Sequence, residues 1–292
     1  MKYQHQRVTL DFGFPVRCLQ SKIKSLKATA HVVHLVVIIY CGCFLAPPAI
    51  SGPAQSPPKA EEVSGAILPF IERGDALLKA KRYDEAIAQY KAAIAKADKP
   101  SYTAYLNLGS AYYAKEDLPS AIEAFRKTIE INPNDYRGHY NLAESLYLSG
   151  DYRNSETEYR RVLALVPQGI VSIEARYFLG LALHKQGRTD EAMIQYRTAI
   201  ERARGKYAEA HYNLGTALLE RKAYDEAERE FRATIEQDKT FKEAYFNLAV
   251  VLENQRRIPE AIEQYEKYLG LTPDSSDAAK LRARIDRLKK QK

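Results

Sequence analysis

The chain has 292 residues, 28% of them charged and 46% hydrophobic, with a formal net charge of +7. That charge sits at the ends: residues 1–51 hold six Lys/Arg against one acid and residues 280–292 hold seven against one, so the stretch between is near −4 and offers no basic face for nucleic acid. All three cysteines, Cys18, Cys41 and Cys43, precede residue 44, which excludes disulfides, a thiol nucleophile and a thiolate metal site from everything beyond.

Residues 28–46 are a long apolar run, preceded by Arg17, Lys22, Lys24 and Lys27 and followed by small residues and prolines. A basic flank, an apolar run and a small-residue exit are the order of a secretory signal or signal anchor, and about 18 residues is the lower edge of spanning length. Three outcomes stay open: retention as a membrane anchor, cleavage after Ala49-Ile50-Ser51, or lipidation of Cys43 behind Gly42. Each puts the rest of the chain outside the cytoplasm. We therefore read 1–46 as a basic leader with a signal or anchor segment. Residues 47–66, with Pro47, Pro48, Pro53, Pro57 and Pro58, form an extended tether reaching about 50–60 Å at most.

From Ile67 to Ser275 one pattern recurs six times. A Leu-Gly or Leu-Ala pair is followed twelve residues later by a small residue and four residues after that by an aromatic. The pairs are Leu108-Gly109, Leu142-Ala143, Leu179-Gly180, Leu214-Gly215 and Leu248-Ala249, with Arg73-Gly74 as a variant first copy. The small residues are Ala86, Ala121, Ser155, Ala192, Ala227 and Ala261, and the aromatics Tyr90, Phe125, Tyr159, Tyr196, Phe231 and Tyr265. In the second unit Tyr105, Leu108, Gly109 and Tyr112 share one face of a first helix. Asp117-Leu118-Pro119-Ser120 opens a second helix, whose inner face is Ala121, Phe125 and Thr128, and Asn132-Pro133-Asn134 stops it. The small residues let the two helices approach, and the aromatic fills the space between neighbouring hairpins. A single hairpin cannot bury both stripes, so the units must stack.

This pattern closely resembles the tetratricopeptide repeat. The resemblance implies an all-α fold: a right-handed superhelical solenoid of six helix-turn-helix hairpins over 67–100, 102–135, 136–169, 173–206, 208–241 and 242–275. Residues 276–292 follow as a basic capping helix, with Ala278, Leu281, Ile285 and Leu288 on its inner face. The Gly/Ala markers step by 35, 34, 37, 35 and 34 residues. The long step predicts an extended inter-repeat turn and a slight kink near Gln168-Gly169-Ile170-Val171, and Arg204-Gly205-Lys206 marks a lesser break.

On each first helix, positions 2, 5, 6, 9, 12 and 13 of the unit lie opposite the packing face, and the resemblance implies that they line a concave groove. Position 6 holds Asn107, Asn141, Asn213 and Asn247, with Glu72 and Phe178 in the other two units. Each amide offers a donor and an acceptor, so the row can pair with the backbone of an extended peptide or can serve bonds within the array. Arrays of the O-GlcNAc transferase type use asparagines in the first way. Position 5 adds Leu106, Tyr140, Tyr177, Tyr212 and Phe246, and position 12 adds Tyr113 and Tyr147, as groove rings or as partial core. The basic clamp by which related arrays hold chaperone C-termini is absent, because its positions carry Ile71, Asp75, Tyr140 and Glu144.

His139 and His211 fall at a packing position, where satisfied core-edge histidines are expected, and His184 faces the groove without a second histidine. No catalytic set, metal cluster or phosphate loop stands out, so no enzymatic activity, cofactor, metal or small-molecule substrate is expected. We expect a non-catalytic scaffold binding protein or extended peptide, exported, held at the membrane through 28–46, and assembling an envelope complex. Six-repeat lipoproteins that support type IV pilus secretin assembly are similar in repeat number and leader. The alternative is a cytoplasmic recruiting or regulatory subunit of an enzyme complex, and a third reading uses the basic C-terminal helix against phosphates or anionic lipid.

Overall fold

A computed structural model describes residues 64–273 and 276–290, and these form thirteen α-helices with no strand among them. The hairpins are α1 (Leu68–Lys79) with α2 (Tyr83–Lys96), α3 (Tyr102–Ala114) with α4 (Leu118–Ile131), and α5 (Tyr136–Ser149) with α6 (Tyr152–Leu165). There follow α7 (Ile170–Lys185) with α8 (Thr189–Arg202), α9 (Ala208–Glu220) with α10 (Tyr224–Gln237), and α11 (Lys242–Asn254) with α12 (Ile258–Leu271). The last helix is α13 (Ala278–Lys289). Each helix packs on its predecessor and its successor, so the pairs stack into the superhelical solenoid that the period implied. The leader, most of the tether and Cys43 lie outside the described residues. Among the described residues no helix is long and apolar enough to cross a membrane.

Every hairpin turns in the same way. Unit position 15 is left-handed in all six: Lys81, Glu116, Gly150, Gly187, Lys222 and Arg256 have φ between 59° and 89°. The next residue then donates its N–H to the carbonyl five residues back, as Arg82 does to Leu77 and Asp117 to Tyr112, both at 2.9 Å. This closure satisfies carbonyls that the end of the first helix leaves bare. Only two units place glycine there. Asp117 caps α4 by accepting from the Ser120 N–H at 3.2 Å, and Pro119 takes the first turn, where no N–H is needed.

The close approach of the two helices has a steric cause. A Cβ built on Gly109 would stand 2.5 Å from Phe125 Cε1, and one on Gly180 2.5 Å from Tyr196 Cε1. In four of the six hairpins glycine there admits the ring, and all six of these rings are at most 1% exposed. Ser155 keeps the small position in the third unit and donates its hydroxyl to the Ala143 carbonyl at 2.8 Å. Arg73, the variant in the first unit, is exposed, since no hairpin precedes it among the described residues.

Two expectations meet the structure differently. The inserted residues before the fourth unit lengthen no turn. They extend α7 to 16 residues, starting at Ile170 behind Gly169 at φ 86°. Ser172 donates to the Pro167 carbonyl at 3.0 Å and ties that extra turn down. The lesser break is a pair of left-handed residues, Arg204 and Gly205, after α8. The capping helix is as expected: Ala278, Leu281, Ile285 and Leu288 are all buried, and Arg284 pairs with Glu253 at 2.9 Å while lying over the Tyr265 ring.

Candidate binding groove

First helices of successive repeats approach one another (α1 with α3, α3 with α5, α5 with α7, α9 with α11), whereas second helices do so less closely. The first helices therefore line the tighter, concave surface. The four asparagines sit on it, each half-buried. Three of them bond to the preceding repeat. Asn107 donates its amide to Asp75 at 2.9 Å, Asn213 to the Tyr177 hydroxyl at 3.0 Å and Asn247 to the Tyr212 hydroxyl at 3.2 Å. Asn213 uses its second N–H on the Glu209 carbonyl, one helical turn back. In each of the three the amide nitrogen is engaged, while the Oδ1 receives no hydrogen bond among the described residues. The Asn141 side chain makes none at all there. The nitrogens of these three thus lace repeat to repeat, which is the reading of bonds within the array, and the oxygens are left as acceptors.

The predicted rings divide. Tyr177 is core, 4% exposed, with its ring 5.0 Å from that of Tyr207. Tyr140 is half-buried, edge-on to Tyr159 at 5.8 Å and to Phe178 at 6.3 Å. Tyr212 packs 4.8 Å from Phe241, Phe246 5.3 Å from Tyr268, and Tyr147 5.3 Å from Tyr152. Tyr113 donates its hydroxyl to Glu144 on the next repeat at 2.8 Å. All are partly or fully buried, so they stiffen the groove wall as much as they present it.

His184 lies on the groove and pairs with Glu220 of the next repeat at 2.8 Å. His139 and His211 are satisfied at the core edge, as expected. Each is held between a carboxylate at 2.6 Å (Glu158 or Glu230) and a backbone carbonyl (Pro133 or Gly205). For His211, burial alone would lower the pKa, but the Glu230 carboxylate and the Gly205 carbonyl outweigh it and raise it.

Sequence reasoning passed over the acidic centre of this groove. Glu144 on α5 and Glu174 on α7 occupy groove positions 9 and 2. Burial first, then the charge of Glu144, push Glu174 up to about 7. Burial likewise raises Glu144, and the Tyr113 hydroxyl offsets only part of that rise. Both residues were readable by the same register that found the asparagines. Tyr207 was not, because it comes from the turn before α9 and obeys no helical spacing.

Comparison with known proteins agrees with this architecture. Family models described as tetratricopeptide repeat match residues 71–136, 136–205, 183–241 and 218–285. The peroxisomal targeting signal receptor of Kluyveromyces lactis is 34% identical over 95 residues, covering 32% of this chain and 16% of the receptor. The chain spans less than a third of the length of the first curated relatives it matches. Among solved structures, YrrB, described as a TPR protein with an unusual peptide-binding site, superposes with a TM-score of 0.55 at 21% identity, over 66% of this chain and 97% of that one. PilF of Pseudomonas aeruginosa superposes with a TM-score of 0.62 at 15% identity, over 75% and 97%. At those identities the two structures speak for the fold.

Proposed function

Because the chain belongs to the tetratricopeptide repeat family, whose members mediate protein–protein interaction, we propose that it is a non-catalytic scaffold whose concave groove holds an extended peptide or a segment of a partner protein. The observation that carries this reading is the row of asparagine Oδ1 acceptors along the first helices, which matches the backbone N–H groups of an extended chain whatever its side chains. The rings behind the row hold it rigid, which lowers the ordering cost of binding.

The test is crosslinked capture from native cells with full-length wild type, Asn141→Ala, the variant with all four asparagines changed to Ala, and Glu130→Ala on exposed α4 as control. Asn141→Ala is the informative single change, since its amide supports no bond within the array. Loss of the same partners from both asparagine variants, with melting curves showing folded protein, supports the groove. Equal capture by all four proteins overturns it.

On the same reading the array works outside the cytoplasm, held through residues 28–46 or through lipid on Cys43, and supports assembly of an envelope complex. The order of basic flank, apolar run and proline tether supports this. Recovery of the full-length protein in the cytosolic fraction would overturn it in favour of a cytoplasmic recruiting subunit.

A further inference from the structure

The middle of the groove differs chemically from its ends. Glu144 and Glu174 approach closely enough for one charge to act on the other, and among the described residues no cationic side chain offsets either. Three other carboxylates on this face are engaged: Asp75 by Tyr90 and Asn107, Glu220 by His184, Glu253 by Arg284. Glu144 accepts one hydroxyl, from Tyr113, and Glu174 has no hydrogen-bond partner among the described residues.

A second observation is independent of the acids. In the first and last repeats the ring tyrosine passes between the helices and delivers its hydroxyl to a groove carboxylate: Tyr90 to Asp75 at 2.6 Å and Tyr265 to Glu253 at 3.0 Å. Tyr159 and Tyr196 hold the same position in the third and fourth repeats. Both are 0% exposed, and neither hydroxyl has a hydrogen-bond partner. The Tyr159 hydroxyl stands close enough to Glu144 to feel the charge of its carboxylate, which places it beside this same centre. An unsatisfied buried hydroxyl costs free energy, and natural structures keep few of them. The walls are aromatic: Phe178 replaces the asparagine of the fourth unit, stacks on Tyr159 at 5.8 Å with 10° between the planes, and meets Tyr140 and Tyr177.

We propose that this centre is a pocket for one cationic side chain, a lysine or arginine, of the extended peptide that the groove holds. The inference rests on the groove reading and adds a partner chemistry to it. An ammonium is a donor only, and the free oxygen of Glu144 and the Glu174 carboxylate are acceptors for it. Ring faces favour the aliphatic stem and the cation together. The groove as a whole is acidic, with further carboxylates at Glu209 and Glu243 on the same first-helix position as Glu174, so a basic segment is also steered toward it.

The experiment is selection of a phage-displayed library of random dodecapeptides on the full-length protein. The expected result is binders that share Lys or Arg at one aligned position. Replacing that residue by norleucine should weaken Kd at least tenfold at pH 7.5, and by less than twofold on the Glu144→Gln/Glu174→Gln variant. Affinity for the cationic peptide should also rise between pH 6 and pH 8 as Glu174 ionises, with Glu144, Tyr136 and Tyr140 of α5 and Tyr207 before α9 as the titratable groups around it. Binders with no shared cation, held equally by both proteins, would overturn the pocket and leave the peptide groove standing. Failure of wild type to retain any peptide would overturn both.

Discussion

Gly109→Ala separates helix propensity from packing, because the two act in opposite directions there. Alanine in mid-helix is favoured over glycine by about 1 kcal/mol. Its Cβ, however, would sit 2.5, 2.7 and 2.9 Å from three atoms of the Phe125 ring, where carbon atoms prefer about 3.5–4.0 Å. The ring is 1% exposed and has nowhere open to go, so it must retreat by about 1 Å into α4 and its neighbours. Overpacking of this kind costs about 1–3 kcal/mol, so the sum is a net loss of about 1 kcal/mol. In an array of this length that is a fall in melting temperature of about 2–4 °C. Thermal unfolding of the full chain measures it, and amide exchange resolved to α3 and α4 localises it. Ala143→Gly in the third unit is the control: alanine already occupies that position, so the change removes helix propensity and relieves nothing. Both substitutions should therefore destabilise, although they are chemical opposites. A higher melting temperature for Gly109→Ala would refute the account of why glycine stands at that site.

Four further outcomes follow from the geometry. Glu174 keeps its proton in the folded state to about pH 7 but loses it near 4.5 when unfolded, so stability should fall as pH rises through that window. Glu174→Gln should flatten this slope and gain up to about 3 kcal/mol at pH 8, read from urea unfolding across pH. His211 has a raised pKa, so its contribution is complete below about pH 6.5 and is lost as pH rises through the folded value, and His211→Gln should remove that step. Lys222→Gly, at φ 59°, should raise stability by about 0.5–1 kcal/mol, whereas Gly187→Lys at φ 76° should lower it by a similar amount, both by thermal melts. Ile285→Asp, at a site 4% exposed on the capping helix, should release α13 and speed amide exchange in α12, with α1 to α4 unchanged.

The hairpins could be read from sequence because their cause is local and sixfold. A small residue, a ring four positions later and a breaker leave one packing solution, and the four inner residues of the capping helix follow from plain periodicity. The insertion before the fourth repeat was misplaced because counting back from Gly180 assumes helices of equal length, while Ile170, Val171 and Ile173 can simply add a turn to α7. The groove was half visible. Register assigns Asn107 or Asn247 to the concave face, but their bonds to Asp75 and Tyr212 depend on the spacing between repeats, which no single unit encodes. Glu144 and Glu174 look like ordinary solvated acids in a chain with 37 of them, and only the assembled wall shows their burial.

The ring at the heart of each hairpin is tyrosine in four repeats and phenylalanine in two, Phe125 and Phe231, with the same burial throughout. Phenylalanine and tyrosine differ by one oxygen, and in the first and last repeats that oxygen reaches a carboxylate on the groove, Asp75 or Glu253. At such a position the array carries a switchable mark that the packing hardly notices. A single base change can write a polar atom into the floor of the groove or erase it, without repacking a hairpin. A lineage could thus drift between partners one atom at a time while its fold stays put, and the pattern Tyr, Phe, Tyr, Tyr, Phe, Tyr along this chain is one such inscription.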